Sequence, residues 1–246
     1  MSSSVVAELA PHGVLRAAIN LSNSLLVTGR SVSGDPEGVA PDLARAFAER
    51  LGVAVKLIAF AEPPDMVKVV DDDVWDIGLI GADPARAQRI AFTAAYAEIE
   101  STYLVPAGSP ISAIAEVDRP GIRIAVTAGA AYDLWLERNI KHAQLIRAEA
   151  GTTDMALFLR DKLEALASLR PDLLAYQAQV PGSRILDGQF MAVQQAVGTP
   201  RKNDQGAGFL RDFIEETKAS GLIAALLDRH KVGGSLSVAP LADTSL

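Results

Sequence analysis

Cysteine is absent from the 246 residues, and with it go disulfides, thiolate nucleophiles and cysteine-ligated metals. Histidine is scarce: His12, His142 and His230 form no i, i+4 pair and no HExxH, so zinc has no ligand set. No apolar run approaches the ~20 residues that a membrane-spanning helix needs. Basic residues are outnumbered, 23 Lys and Arg against 30 Asp and Glu for a net charge of −7, and nucleic acid or an anionic membrane surface would want a basic face instead. Also missing are a GxGxxG or P-loop phosphate cradle and a GxSxG nucleophile elbow. The opening MSSSVVAELAPHG has neither the basic start nor the apolar run of a signal peptide. The sequence as it stands reads as leaderless, and periplasm and cytoplasm both stay open. These absences leave a small solute as the partner, with no cofactor and no metal.

What is there suits a globular protein. Hydrophobic residues make up 49 % and charged residues 22 %, enough apolar surface for a substantial core, in a chain long enough for one large domain or two modest ones. Strand-like runs at 14–20, 53–60 and 76–80 alternate with helical patterns at 41–52 and 64–70. The first helix has Pro41 in its opening turn, Leu43, Phe47 and Leu51 on one face, and Gly52 at its end. The alternation then restarts: strand 122–126, helix 130–140, strand 143–148, helix 153–169, strand 172–176. This is a parallel α/β pattern in two successive units, hence two lobes. Residues 206–230 read as a helix stopped near Gly221 and followed by another, with Phe209, Phe213 and Ile214 at helical spacing. The Gly/Ser/Pro-rich stretch 233–246 reads as a flexible tail. The acidic run DDDVWD at 71–76 fits a solvated turn at a helix end better than a Mg²⁺ or Ca²⁺ cluster. Trp75 and Trp135 lie within apolar patterns and read as packing.

The stretch WDIGLIGADPARAQRIAF, 75–92, stands out. A buried strand stops at Gly81, and Asp83-Pro84 is a helix-start signal, with Asp as N-cap and Pro supplying a preset φ. A helix beginning at the carboxyl edge of a sheet, where open α/β folds place ligands, favours an anion. Arg86 adds a two-pronged donor shaped for a carboxylate. On spacing alone Arg86 has two readings: a local ion pair with Asp83, or a grip on a ligand.

Four segments in order, GVAPDLARAFAERLGV (38–53), WDIGLIGADPARAQRIAFTAAYAEIESTYLVPAGSPI (75–111), EVDRPGIRIAVTAGAAYDLWL (116–136) and SGLIAALLDRH (220–230), resemble the family 3 extracellular solute-binding proteins, the amino-acid-type receptors of ABC importers. The resemblance spans roughly 13–232 and rests on order and spacing rather than on any single motif. It implies a two-lobed α/β fold of the type II periplasmic-binding-protein class, with two hinge crossings and the ligand in a cleft that closes. One lobe would be 1–103 with 193–246, the other 104–192. It further implies a monomer that serves ABC membrane subunits without inserting into the membrane.

Carried over residue by residue, the resemblance makes Arg86 the carboxylate grip, with Gly81, Ala82 and Asp83 on the turn that offers amides. Where the family commonly has GTT at a helix start, this chain has Gly129, Ala130 and Ala131, followed by Tyr132, so amides remain and hydroxyls are lost. Gln177 falls where an aspartate usually binds the α-ammonium. Ser22, Asn23 and Ser24 replace the usual aromatic platform, and Phe60 is either a cleft wall or core. These departures imply a carboxylate-bearing solute other than a standard α-amino acid held through its ammonium. The alternative is an enzyme on the same fold, similar to cyclohexadienyl dehydratase, for which Glu62, Asp83 or Glu149 are the candidate acids.

Overall fold

The computed structural model describes residues 3–148 and 151–242, and the chain divides into two compact units, Met1–Glu98 with Gln194–Leu246, and Ile99–Val193. The boundaries of these units fall inside a strand, between Glu98 and Ile99, and between Val193 and Gln194.

The first unit opens with α1 (Ser3–Leu9) and β1 (Val14–Asn20), followed by the short hairpin β2 (Gly29–Arg30) and β3 (Pro36–Glu37). Helix α2 (Val39–Leu51) buries Leu43, Phe47 and Leu51, and Gly52 ends it in a left-handed conformation (φ 73°). Burying each such side chain contributes roughly 1.5–3 kcal/mol. Then come β4 (Ala54–Phe60), α3 (Pro63–Lys68), β5 (Ile77–Gly81), β6 (Ile90–Phe92) and β7 (Ala97–Val105), the last running on into the second unit. β1 lies between β4 and β5 and is parallel to both, so all three end at one edge. Their opposite ends are pinned by a buried pair: Asp76, 3 % exposed, takes the Arg16 amide at 2.8 Å and its guanidinium at 2.7 and 3.1 Å.

The second unit continues with β8 (Arg123–Thr127), α4 (Ala131–Asn139), β9 (Gln144–Ala148), α5 (Asp154–Arg160), β10 (Ala165–Leu169), α6 (Arg170–Gln177) and β11 (Arg184–Ile185). β8 is parallel to β9 and β10, and β10 is antiparallel to β7. The chain returns through β12 (Met191–Pro200), which pairs antiparallel with β5 and β6. It finishes as α7 (Asp204–Ala219), α8 (Leu222–Arg229) and β13 (Ser237–Val238). Phe213 stacks on Phe47 with ring centroids 4.1 Å apart, fixing α7 against α2.

Four expectations need correction. The helix expected over 153–169 is α5 followed by strand β10, and the strand expected over 172–176 is helix α6. Ala165 to Ser168 are all buried, and a strand covered on both faces loses the alternation that separates it from a helix. Lys162 makes the break between them with φ 48°, a place where glycine would have been the visible signal. Third, no α-helix follows Asp83; the chain makes a single 3-10 turn, Arg86–Gln88, and enters β6. Fourth, the stretch after Gly233 is not a loose tail as far as Ala242: Leu236 and Ala239 are buried and β13 pairs with β7. Within the acidic run, Asp71 pairs with Arg89, while Asp73 and Asp76 pair with Arg16. Among the described residues no group of three potential ligands holds a metal, and no helix is long and apolar enough to cross a membrane.

Candidate functional site

In each unit the parallel strands end together, and open α/β sheets bind ligands beyond those carboxyl ends. In the first unit Asn20 lies opposite Phe60, and the Leu21 amide donates to the Phe60 carbonyl at 2.9 Å. The loop beyond β1 satisfies itself. Asn20 Oδ1 accepts from the Ser22 amide (3.1 Å) and hydroxyl (2.8 Å), and Asn23, 7 % exposed, accepts the Leu25 amide on Oδ1. Ser24 is exposed. Phe60 is half-buried against the cluster of Met66, Trp75 and Ile80, so part of its ring is core. Trp75 is core as well, donating its indole N–H to the Met66 carbonyl at 3.1 Å.

At the end of β5, Arg86 is 5 % exposed and donates Nη1 to the Gly81 carbonyl at 2.6 Å. Burial draws its pKa down to about 10, with the charge of Asp83 acting the other way. Asp83, also buried, accepts the Ala85 amide on Oδ1 at 2.8 Å. The Ala82 amide is used in the sheet, donating to the Gln194 carbonyl at 2.7 Å. With no helix here and that amide spent, an anion at this turn would be held by the guanidinium rather than by a helix dipole.

In the second unit β8, β9 and β10 end at Thr127, Ala148 and Leu169. The turn into α4 has Ala130 as N-cap, with Ala131 and Tyr132 as the first two helical residues. Gly129 adopts φ 71°, and its amide donates to Asp133 Oδ2 at 2.8 Å. Asp133 is in turn held by Arg147 Nε, 3.0 Å from both carboxylate oxygens. Gln177 is not at the strand end. It is the last residue of α6 and donates Nε2 to the Ser183 carbonyl at 3.0 Å. It stands seven helical steps beyond Arg170, about 10 Å at 1.5 Å per residue. The residue that ends β10 is Leu169, which offers no carboxylate. Glu62 is the exposed N-cap of α3, and Glu149 lies outside the described residues.

The misplacement of β10 concealed a polar cluster at this edge. Asp154, 4 % exposed at the start of α5, accepts from Thr127 Oγ1 (3.1 Å), Tyr176 OH (3.4 Å) and the Met155 amide (2.7 Å). Tyr132 OH lies 3.5 Å from Ser168 Oγ. Burial raises the pKa of Asp154 despite those donors. Burial and the nearby Asp154 push Asp172, in the first turn of α6, up to about 6. No lysine, arginine or histidine pairs with either carboxyl among the described residues. Pro171, early in α6, was the available sign that a helix starts here and that the strand must precede it.

Asp172 carries a testable pH dependence. Its folded pKa of about 6 lies above the ordinary 3.8, so the folded state binds the extra proton, and stability falls as pH rises through that interval. Asp172→Asn is expected to stabilise the protein by about 2 kcal/mol at pH ~7.5, a gain that disappears by pH ~4. Urea unfolding of both proteins at the two pH values measures this. An equal difference at both would show that the carboxyl is not destabilised by its surroundings.

Residues 27–233 match the family described as bacterial extracellular solute-binding proteins, family 3. No curated protein sequence matches the chain. Solved structures do. A mutant of ArgBP from T. maritima is 18 % identical, with a TM-score of 0.73 over 92 % of this chain and 99 % of that one. The ancestral amino acid-binding protein AncCDT-1, a precursor of cyclohexadienyl dehydratase, is 18 % identical, with a TM-score of 0.72 over 93 % and 99 %. An amino acid ABC transporter substrate-binding protein from Streptococcus pneumoniae, bound to L-arginine, is 20 % identical, with a TM-score of 0.70 over 97 % and 100 %. At these identities the likeness establishes the fold, which is that of the type II periplasmic-binding proteins.

Proposed function

Since the chain belongs to the bacterial extracellular solute-binding proteins of family 3, we propose that it binds a small carboxylate-bearing solute, and that this solute is not a standard α-amino acid held through its ammonium. The observation that carries the reading is Arg86: a buried guanidinium anchored on the Gly81 carbonyl at the carboxyl end of β5. Gly81, Ala82 and Asp83 frame it, and Ser22, Asn23, Ser24 and Phe60 border the same edge. In the second unit, Gly129, Ala130, Ala131 and Tyr132 form the corresponding turn beyond β8. Leu169 supports the second half of the proposal, because the strand end that would present a carboxylate to an ammonium carries an isobutyl group.

On this reading the protein is a monomeric receptor rather than an enzyme, and hands its solute to ABC membrane subunits. The test is native mass spectrometry of the purified protein for a retained small acid, followed by calorimetric titration with organic acids and with amino acids. Tight binding of an ordinary α-amino acid, lost when its amine is acetylated, would overturn the second half of the proposal.

One observation favours a second reading. A carboxyl held near 6 is a serviceable proton donor, and the same fold includes the ancestry of a dehydratase. An elimination reaction with Asp172 as the acid predicts loss of prephenate absorbance on adding the protein, abolished in Asp172→Asn.

A further inference from the structure

The chain leaves its first unit inside β7, between Glu98 and Ile99, and there it has a neighbour from far along the sequence. Ser237 and Val238 pair antiparallel with Glu98 and Ala97, and the Ala239 amide donates to the Tyr96 carbonyl at 3.2 Å. The next residues are fastened to α7. Lys218, its side chain 2 % exposed, donates Nζ to the Pro240 carbonyl at 2.8 Å and pairs with Glu215 at 2.7 Å, and the Ala242 amide donates to Glu215 Oε2 at 3.0 Å. Leu236 and Ala239 are buried, whereas Leu241 is exposed.

Two features set this segment apart from an ordinary strand. A buried ammonium is costly unless paired, yet Lys218 directs one of its charge-assisted bonds to a main-chain carbonyl of the terminal segment, where a neutral residue would have closed the core more cheaply. Upstream, Gly233 and Gly234 lie in a turn whose Ser235 and Leu236 amides donate to the Val232 carbonyl at 2.9 and 3.1 Å, so the segment is released by opening that one turn. A two-residue ladder is short enough to open locally without global unfolding.

We propose that Leu236–Ala242 is a strap, latched by Lys218, which stiffens β7 when seated and lets the crossing strand flex when released. The strap acts on the strand by which the chain passes from one unit to the other, and so sets how readily that passage deforms. It requires nothing of the ligand reading above.

Hydrogen exchange with peptide-level readout tests it on the intact chain, on Lys218→Met, which keeps the side chain's bulk, and on a chain ending at Gly234. In both variants the peptide containing Ala97 to Ile99 is expected to exchange at least about tenfold faster, while peptides of β1 and β8 keep their rates. Unchanged protection of that peptide in both variants overturns the proposal. So does acceleration spread equally over β1 and β5, or a shortened chain that does not fold, because a strap is dispensable to the fold and an integral strand is not.

Discussion

Arg86→Ala is expected to weaken binding of the retained carboxylate by at least about 100-fold, the loss of a charge-assisted pair in a desolvated setting. The same change leaves the Gly81 carbonyl without its donor and opens space where a 5 % exposed side chain stood, so stability should also fall, by about 1–2 kcal/mol. Arg86→Lys separates the two effects. It keeps a positive charge but not the planar fork, and an intermediate affinity is expected. Calorimetric titration alongside urea unfolding gives both quantities for each variant. If Arg86→Ala bound the acid as tightly as the parent while losing only stability, the guanidinium would be a fastening for the turn and nothing more.

The second large effect lies at Gly38, which caps α2 with φ 146°. A Cβ there would stand 2.3 Å from the Leu26 carbonyl oxygen and 2.9 Å from both the Leu26 carbonyl carbon and the Thr28 nitrogen. All three are main-chain atoms, so no side chain can swing aside. Gly38→Ala is expected to cost at least about 3 kcal/mol, adding backbone strain to overpacking, and to lower Tm by roughly 10 °C. Gly34→Ala is the control: φ 88° but nothing within 4 Å, for a cost of about 1 kcal/mol. The close approach at Gly38 is accompanied by the bond from the Ala40 amide to the Leu26 carbonyl at 3.1 Å. It therefore also holds the loop that carries Ser22, Asn23 and Ser24, and thermal scans of the two variants should differ sharply.

The parallel strands of the first unit were legible because β1 and β4 are apolar runs bounded by clear breaks, and α2 because Leu43, Phe47 and Leu51 repeat at helical spacing before Gly52. Where reading failed, the cause was local. Around 162 the turn is made by a lysine in a left-handed conformation, so in sequence α5 and β10 run together into one apparent helix, and the strand expected next, over 172–176, falls on helix α6. Gln177 therefore reads in sequence as a strand-end residue, and Asp154, Ser168 and Asp172 carry no local signal, since their proximity depends on three chain segments that meet only once β10 is in place. Asp83-Pro84 had the chemistry of a helix start, but six residues later the chain is already β6, and a single turn was all the connection allowed. The terminal stretch reads as loose by composition and is seated by Lys218, 22 residues before the Pro240 carbonyl it holds, which no local pattern reveals.

The bond from Arg86 to the carbonyl of its own strand has a thermodynamic corollary. An arginine side chain has about 2 kcal/mol of rotamer entropy to lose on being immobilised, and here that loss falls on folding, because the guanidinium is already fixed and shielded from water. On the proposed reading, an arriving acid meets a preorganised donor and forfeits none of that freedom, so differences between good and poor guests should appear chiefly as dissociation rates.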